Sequence, residues 1–119
     1  MKPPGPDHPI GISQYVGRVR AIFAGRTIAD TTRALALTEA RYPSVYYIPR
    51  EDADMALLTH TAHASHCPYK GDASYFSVTA DGRTAENAVW SYEQPYPAVA
   101  AIKDHLAFYP DRVDKIEAG

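Results

Sequence analysis

Residues 74–92 read SYFSVTADGRTAENAVWSY, and this stretch decides the fold class. From Ser74 to Ala80 apolar and polar side chains alternate, as they do in a strand with one face buried. Asp81-Gly82 is a two-residue turn signal, because both residue types tolerate the positive φ that a tight hairpin turn demands. Ala88 to Tyr92 then returns as a second strand carrying Trp90, the single tryptophan of the chain. The stretch predicts an antiparallel hairpin.

Working outward, Pro95-Tyr96-Pro97 breaks the returning strand. Val99 and Ile102, set among Ala98, Ala100 and Ala101, predict a helix of two to three turns started at Pro97. His105 to Tyr109 reads as a further strand, with Val113 and Ile116 in a last short one. Upstream, Val19, Ala21 and Phe23 alternate with Arg18, Arg20 and Ile22, which marks a half-buried strand. Gly25-Arg26 is a turn before a short piece around Ile28. Leu35, Leu37 and Glu39 share one side of the next run, and Ala34, Ala36 and Thr38 the other. Val45 to Ile48 is β-branched and aromatic, and Pro49 ends it because proline cannot donate to a ladder. Asp52 to Met55 predicts one helical turn and Leu57-Leu58 supplies apolar anchors. From Thr59 to Gly71 no period survives, so this segment is expected to be a long, structured loop. About seven strands and one short helix near the C-terminus make the fold mainly β, with small antiparallel sheets in an open-barrel-like arrangement.

Residues 1–14 hold four prolines and two glycines and are expected to form a loosely docked arm ahead of a single domain over 15–119. A chain of 119 residues is the size of one domain, and it buries roughly two thirds of its unfolded surface. Its 45% apolar and 22% charged residues are globular composition. A net charge of −2 argues against a nucleic-acid partner. Cys67 is the only cysteine, which excludes an internal disulfide and any Cys-x-x-Cys metal site. Met1-Lys2-Pro3-Pro4-Gly5-Pro6 lacks the apolar run of a secretory signal, and no stretch approaches the ~18 apolar residues of a membrane span. The expected location is the cytoplasm, with no membrane partner.

The strongest local feature is Cys67-Pro68-Tyr69-Lys70-Gly71. Pro68 holds Cys67 extended, and Gly71 permits a sharp turn after the lysine. Such a turn can fold the Lys70 ammonium toward the thiol and favour the thiolate, the form that acts as nucleophile or ligand. The bland reading is a small buried thiol and a solvated lysine. His60, His63 and His66 lead into Cys67, and three imidazoles with a thiolate are a legitimate zinc set, though such histidines are more often ordinary loop residues. Glu39 continues the side of Leu35 and Leu37, and a carboxylate on a core face needs a cationic partner. Lys70 or an arginine of the Arg18–Arg20 strand can supply one, unless the strand ends at Thr38 and Glu39 reaches water. Nine tyrosines stand against three phenylalanines, and Tyr46, Tyr47, Tyr75, Tyr92 and Tyr109 all lie in predicted strands. Tyrosine buries a ring while its hydroxyl seeks a partner, which suits the wall of a polar pocket or the wet rim of a core. Gly-rich phosphate loops, His-Glu-x-x-His helices and Gly-x-Ser-x-Gly elbows are absent, and no cofactor is expected.

With these residues in view, the chain resembles the DUF427 family of domains of unknown function, which carries a nucleotidyltransferase-like label. The resemblance runs from Val16 onward. It rests on Ala29-Asp30-Thr31, Glu39, Tyr47-Ile48-Pro49 with Asp52, the Cys67–Gly71 block with Tyr75, Trp90-Ser91-Tyr92-Glu93-Gln94-Pro95, and Phe108-Tyr109. It implies a β-tent-like architecture, two small antiparallel sheets meeting at an angle over a cleft. Some tent-shaped relatives bind zinc through paired cysteine motifs, which this sequence lacks. The label implies clustered carboxylates holding divalent metal, but Asp52 and Asp54, with Glu51 before them, are the only near set, and the label is not adopted.

The leading expectation is a small-molecule site for an anionic or nucleotide-like ligand. Cys67, Lys70 and Glu39 would carry the chemistry, Tyr47, Tyr75 and Trp90 the walls, and Arg18 or Arg20 an anionic group. Two alternatives stay open. One is a protein-interaction or self-association module, such as a homodimer, in which the motif blocks are structural. The other is a zinc domain built on His60, His63, His66 and Cys67.

Overall fold

The hairpin is present and forms the spine of the molecule. In the computed structural model, which describes residues 1–119, strand β7 spans Gly71–Ala80 and β8 spans Arg83–Ser91. Asp81 and Gly82 take φ of 51° and 76°, the pair of positive values that matches a two-residue turn to the twist of its strands. The remaining strands are β1 (Ile10–Gln14), β2 (Val19–Phe23), β3 (Arg26–Thr31), β4 (Leu35–Glu39), β5 (Val45–Tyr47), β6 (Leu58–Cys67), β9 (Ala107–Phe108) and β10 (Lys115–Ala118). They form three antiparallel sheets with orders β1-β4-β5, β10-β2-β3 and β6-β7-β8-β9. Helical structure is confined to 3₁₀ turns at Arg50–Asp52, Met55–Leu57 and Pro97–Ile102. No helix is long and apolar enough to cross a membrane.

The spine serves two cores. Phe76, Val78 and Ala80 of β7 join Ala85, Ala88 and Val89 of β8 in the larger core, which β2 and β3 close with Val19, Ala21, Phe23 and Ile28. Ala73 and Tyr75 join Tyr92, Ala107, Leu37 and Tyr47 in the smaller. Alternate residues of a strand point to opposite faces, so β7 changes its buried face between Tyr75 and Phe76. Bulges flank that point, between His60 and Ala64 on β6 and opposite Ser77 on β8. Bulges re-aim side chains and bend a strand. Here Thr61 Oγ1 donates to Asn87 Oδ1 at 2.6 Å and ties the two together. The Pro97–Ile102 turns bury Val99 and Ile102 completely. Each such side chain contributes roughly 1.5–3 kcal/mol, so tertiary anchoring rather than helix propensity holds this short segment.

Two segments differ from the sequence expectations. Thr59–Gly71 is not a loop, since most of it is β6, the ten-residue edge strand paired along β7. Its side chains from Thr59 to His66 are exposed apart from Thr61, so no alternation marks it. Residues 1–14 are attached along their length. Ile10–Gln14 pairs with β4, Gly5 and His8 form a bridge, and the Lys2 N–H donates to the Pro68 carbonyl at 2.7 Å.

Candidate functional site

The Cys67–Gly71 block is the β6–β7 hairpin loop, with Cys67 opposite Gly71. Gly71 has φ of +110°, and a Cβ there would sit 3.3 Å from the Gln94 carbonyl oxygen. Both the conformation and the close approach call for glycine. The Tyr96 N–H donates to the Lys70 carbonyl at 3.0 Å, so the loop is clamped from the 94–96 side and the lysine side chain is directed inward.

Lys70 is only 8% exposed. Its Nζ donates to Glu39 Oε1 and stands 6.0 Å from the centroid of the Tyr92 ring. The other carboxylate oxygen, Oε2, accepts from His8 Nε2 at 2.7 Å. His8 in turn stacks on Tyr69 with centroids 3.9 Å apart. β4 places Glu39 here because Leu37, two residues earlier, is buried on the same face. Burial alone would raise the Glu39 pKa, but the hydrogen bonds from Lys70 and His8 outweigh it and hold the carboxyl below its usual range.

Lys70 and Glu39 border a hollow of about 270 Å³ whose other walls include Leu37, Tyr47, Tyr75, Trp90, Tyr92 and Tyr109. Trp90 Nε1 donates to the Tyr47 hydroxyl at 3.3 Å, and the Trp90 and Tyr109 rings lie 4.5 Å apart. Ser65 Oγ and the Tyr75 hydroxyl are 2.8 Å apart. Burial pushes the Tyr47 and Tyr92 phenols far above their ordinary range. Tyr109 is pushed up to about 12, by burial first and then by its Tyr75 neighbour. At neutral pH the walls are therefore neutral hydroxyls that donate. No buried side-chain polar atom lacks a partner, and no protein group bonds the Tyr92 hydroxyl, so that hydroxyl opens into the hollow it lines.

The structure brings Lys70, Glu39, Tyr47, Tyr75 and Trp90 together around this hollow. Cys67 is half-buried beside the smaller core and does not line it. Its thiol has no hydrogen bond to Lys70, whose ammonium turns to Glu39 instead. Arg18 and Arg20 lie elsewhere. β2 buries Val19, Ala21 and Phe23, so the arginines face outward and each pairs with Asp30 at 3.4 Å. The histidine run does not converge either. Three residues of strand separate neighbouring histidines by roughly 10 Å, and each has its own contact: His60 with Phe76, His63 with Tyr75 and His66 with Asp72. No group of three His, Cys, Asp or Glu side chains is placed to hold a metal ion.

Sequence reasoning missed His8, and it named Tyr92 and Tyr109 among the strand tyrosines suited to a pocket wall or a wet rim without assigning them to this site. It also missed a second polar cluster, in which Arg50 donates to Glu93 Oε2 and Ser91 Oγ, both at 3.0 Å, and to the Asp104 carbonyl at 2.7 Å. Ser74 Oγ donates to the other Glu93 oxygen at 2.7 Å. These bonds are saturated within the protein and fasten the Arg50–Asp52 turn to the spine. The strand parity of Tyr75 and Trp90, cross-strand partners on one face, was the signal that could have placed Tyr92 beside them.

Among known proteins, the chain matches the family model described as a domain of unknown function, DUF427, over residues 12–119, and that model bears a nucleotidyltransferase label. No curated protein matches it. Because the match takes in β2 to β10 and most of β1, the chain belongs to the DUF427 family of domains of unknown function.

Proposed function

We propose that this protein binds a small organic anion, with its carboxylate on Lys70 and its body against the rings of Tyr75, Trp90 and Tyr109. The observation that carries this reading is a charged pair, Lys70 with Glu39, set in the wall of a hollow that is otherwise aromatic and aliphatic. Withdrawing two charges from water is costly, and a buried pair seldom stabilises a fold more than apolar residues of the same volume. A binding role accounts for its presence. Glu39 occupies one of the three N–H donors of the ammonium, and the others are free for acceptor oxygens. The Tyr92 hydroxyl adds a neutral donor. Pairing with Glu39 leaves Lys70 little surplus charge, which suits one carboxylate better than a di- or triphosphate. His8, bonded to the far oxygen of Glu39 and partly exposed, links the pair to solvent.

Trp90 is the sole tryptophan and lines this hollow, so its emission responds to what enters there. Titration with aromatic and aliphatic carboxylates and with nucleoside monophosphates is expected to give a saturable change for the carboxylates. Binding should weaken at least tenfold in Lys70→Met, with an unchanged far-UV spectrum. If no compound moves either the Trp90 emission or the thermal midpoint, the reading fails, because a ligand at a hundred times its Kd adds about 2.7 kcal/mol of stability.

A further inference from the structure

We infer that the bound anion is amphiphilic, with an apolar chain that continues past Trp90 into a second hollow; this rests on Lys70 as the anchor of its head. The second hollow measures about 260 Å³ and is lined by Tyr46, Ile48, Phe108, Pro110 and Ile116. Val45 and Trp90 line both hollows, so the two adjoin at this pair. The far hollow lies at the seam of the two cores, since Ile48 and Phe108 belong to the larger while Val45 and Trp90 pack on the smaller.

Its chemistry selects the occupant. The Ser44 hydroxyl at its edge is already paired with Thr38 Oγ1 at 3.0 Å, and no charged side chain lines it. A charged head has no cationic partner there, and the ammonium N–H donors that would take a carboxylate are in the first hollow. Ile48 and Phe108, 1% and 5% exposed, close its floor, and a slender chain would lie against the half-buried Tyr46 and Ile116 and the exposed Pro110. A head on Lys70 and a tail beyond Trp90 use both hollows at once.

The test is a series of straight-chain carboxylates from acetate to decanoate, titrated against the whole protein by Trp90 emission. Once the chain passes Trp90, each added methylene should tighten binding about fourfold, until the far hollow is full and the gain stops. Ile116→Phe, which narrows that hollow and leaves Trp90 the only indole, should bring the plateau to shorter acids. Ser44→Leu at the rim should do the same and serves if the first variant fails to fold. Acids that all bind with one affinity would overturn the second hollow but leave the Lys70 anchor standing, whereas no binding by any acid would overturn both. Length-dependent affinity with a plateau unmoved by either variant would put the tail elsewhere and overturn the inference. An emission change with protein concentration alone would give the hollow to a second copy and overturn it equally.

Discussion

Glu39 accepts from Lys70 on one oxygen and from His8 on the other, and the three residues stand or fall together. Lys70→Met leaves a carboxylate in an aromatic surround with one partner, and unfolding in urea should show a loss of about 3 kcal/mol. In Lys70→Met/Glu39→Leu both charges are gone, and much of that loss should return, giving a coupling of about 1 kcal/mol or more. Acid offers a second check. Glu39 and Glu93 both titrate below the ordinary carboxylate range in the folded protein, the first despite burial and the second mainly through Ser74. Their contribution is therefore complete above the unfolded value of about 4.3 and is lost as pH falls through the lower folded values. The stability gap between the wild type and Glu39→Gln should narrow over that acid window; a gap that widens there would contradict the pairing. Glu39 itself was legible, because strand parity with Leu35 and Leu37 fixes its side. His8 was not, because it comes to Glu39 through the β1–β4 register, and nothing local in a proline-rich stretch encodes a long-range partner.

The β6–β7 hairpin shows the same division at the scale of an element. Its loop was legible through Pro68 and Gly71, whereas β6 was not. An edge strand with both faces toward water needs no alternation, and Thr, His, Ala and Ser there leave no periodic trace. Parity likewise predicted β2 and set Arg18 and Arg20 opposite its apolar face, but it could not tell that this outer face lies away from the hollow. Gly71→Ala forces a side chain into φ of +110° and against the Gln94 carbonyl. The expected cost is about 2 kcal/mol in the thermal or urea midpoint, together with weaker carboxylate binding as Lys70 shifts. A variant as stable as the wild type would mean that the loop has another conformation in solution.

At the scale of the molecule, the mainly-β class was legible from one hairpin, but the division into two cores was not, because it depends on where β7 changes its buried face. That continuity has a thermodynamic consequence. β7 and β8 each contribute to both cores, and Ile48 and Leu106 exchange two backbone hydrogen bonds of 2.8 Å between the end of β5 and the start of β9, which pairs with β8. Neither core can unfold while the other keeps its strands. Trp90 emission, which follows the smaller core, and far-UV dichroism, which follows the whole, should therefore report one coincident transition; separated midpoints would show two independent units.

The switch at Tyr75 and Phe76 also bears on how such a chain can change length. Adding one residue within β7 turns every side chain beyond it to the opposite face, so Val78 and Ala80 would meet water while Ser77 and Thr79 entered the larger core. The Asp81-Gly82 tip carries no such burden, for residues added there displace neither face. Tolerated insertions should gather at the tip and be refused at the middle of the spine, where the strand works as a spacer of fixed length between two interiors.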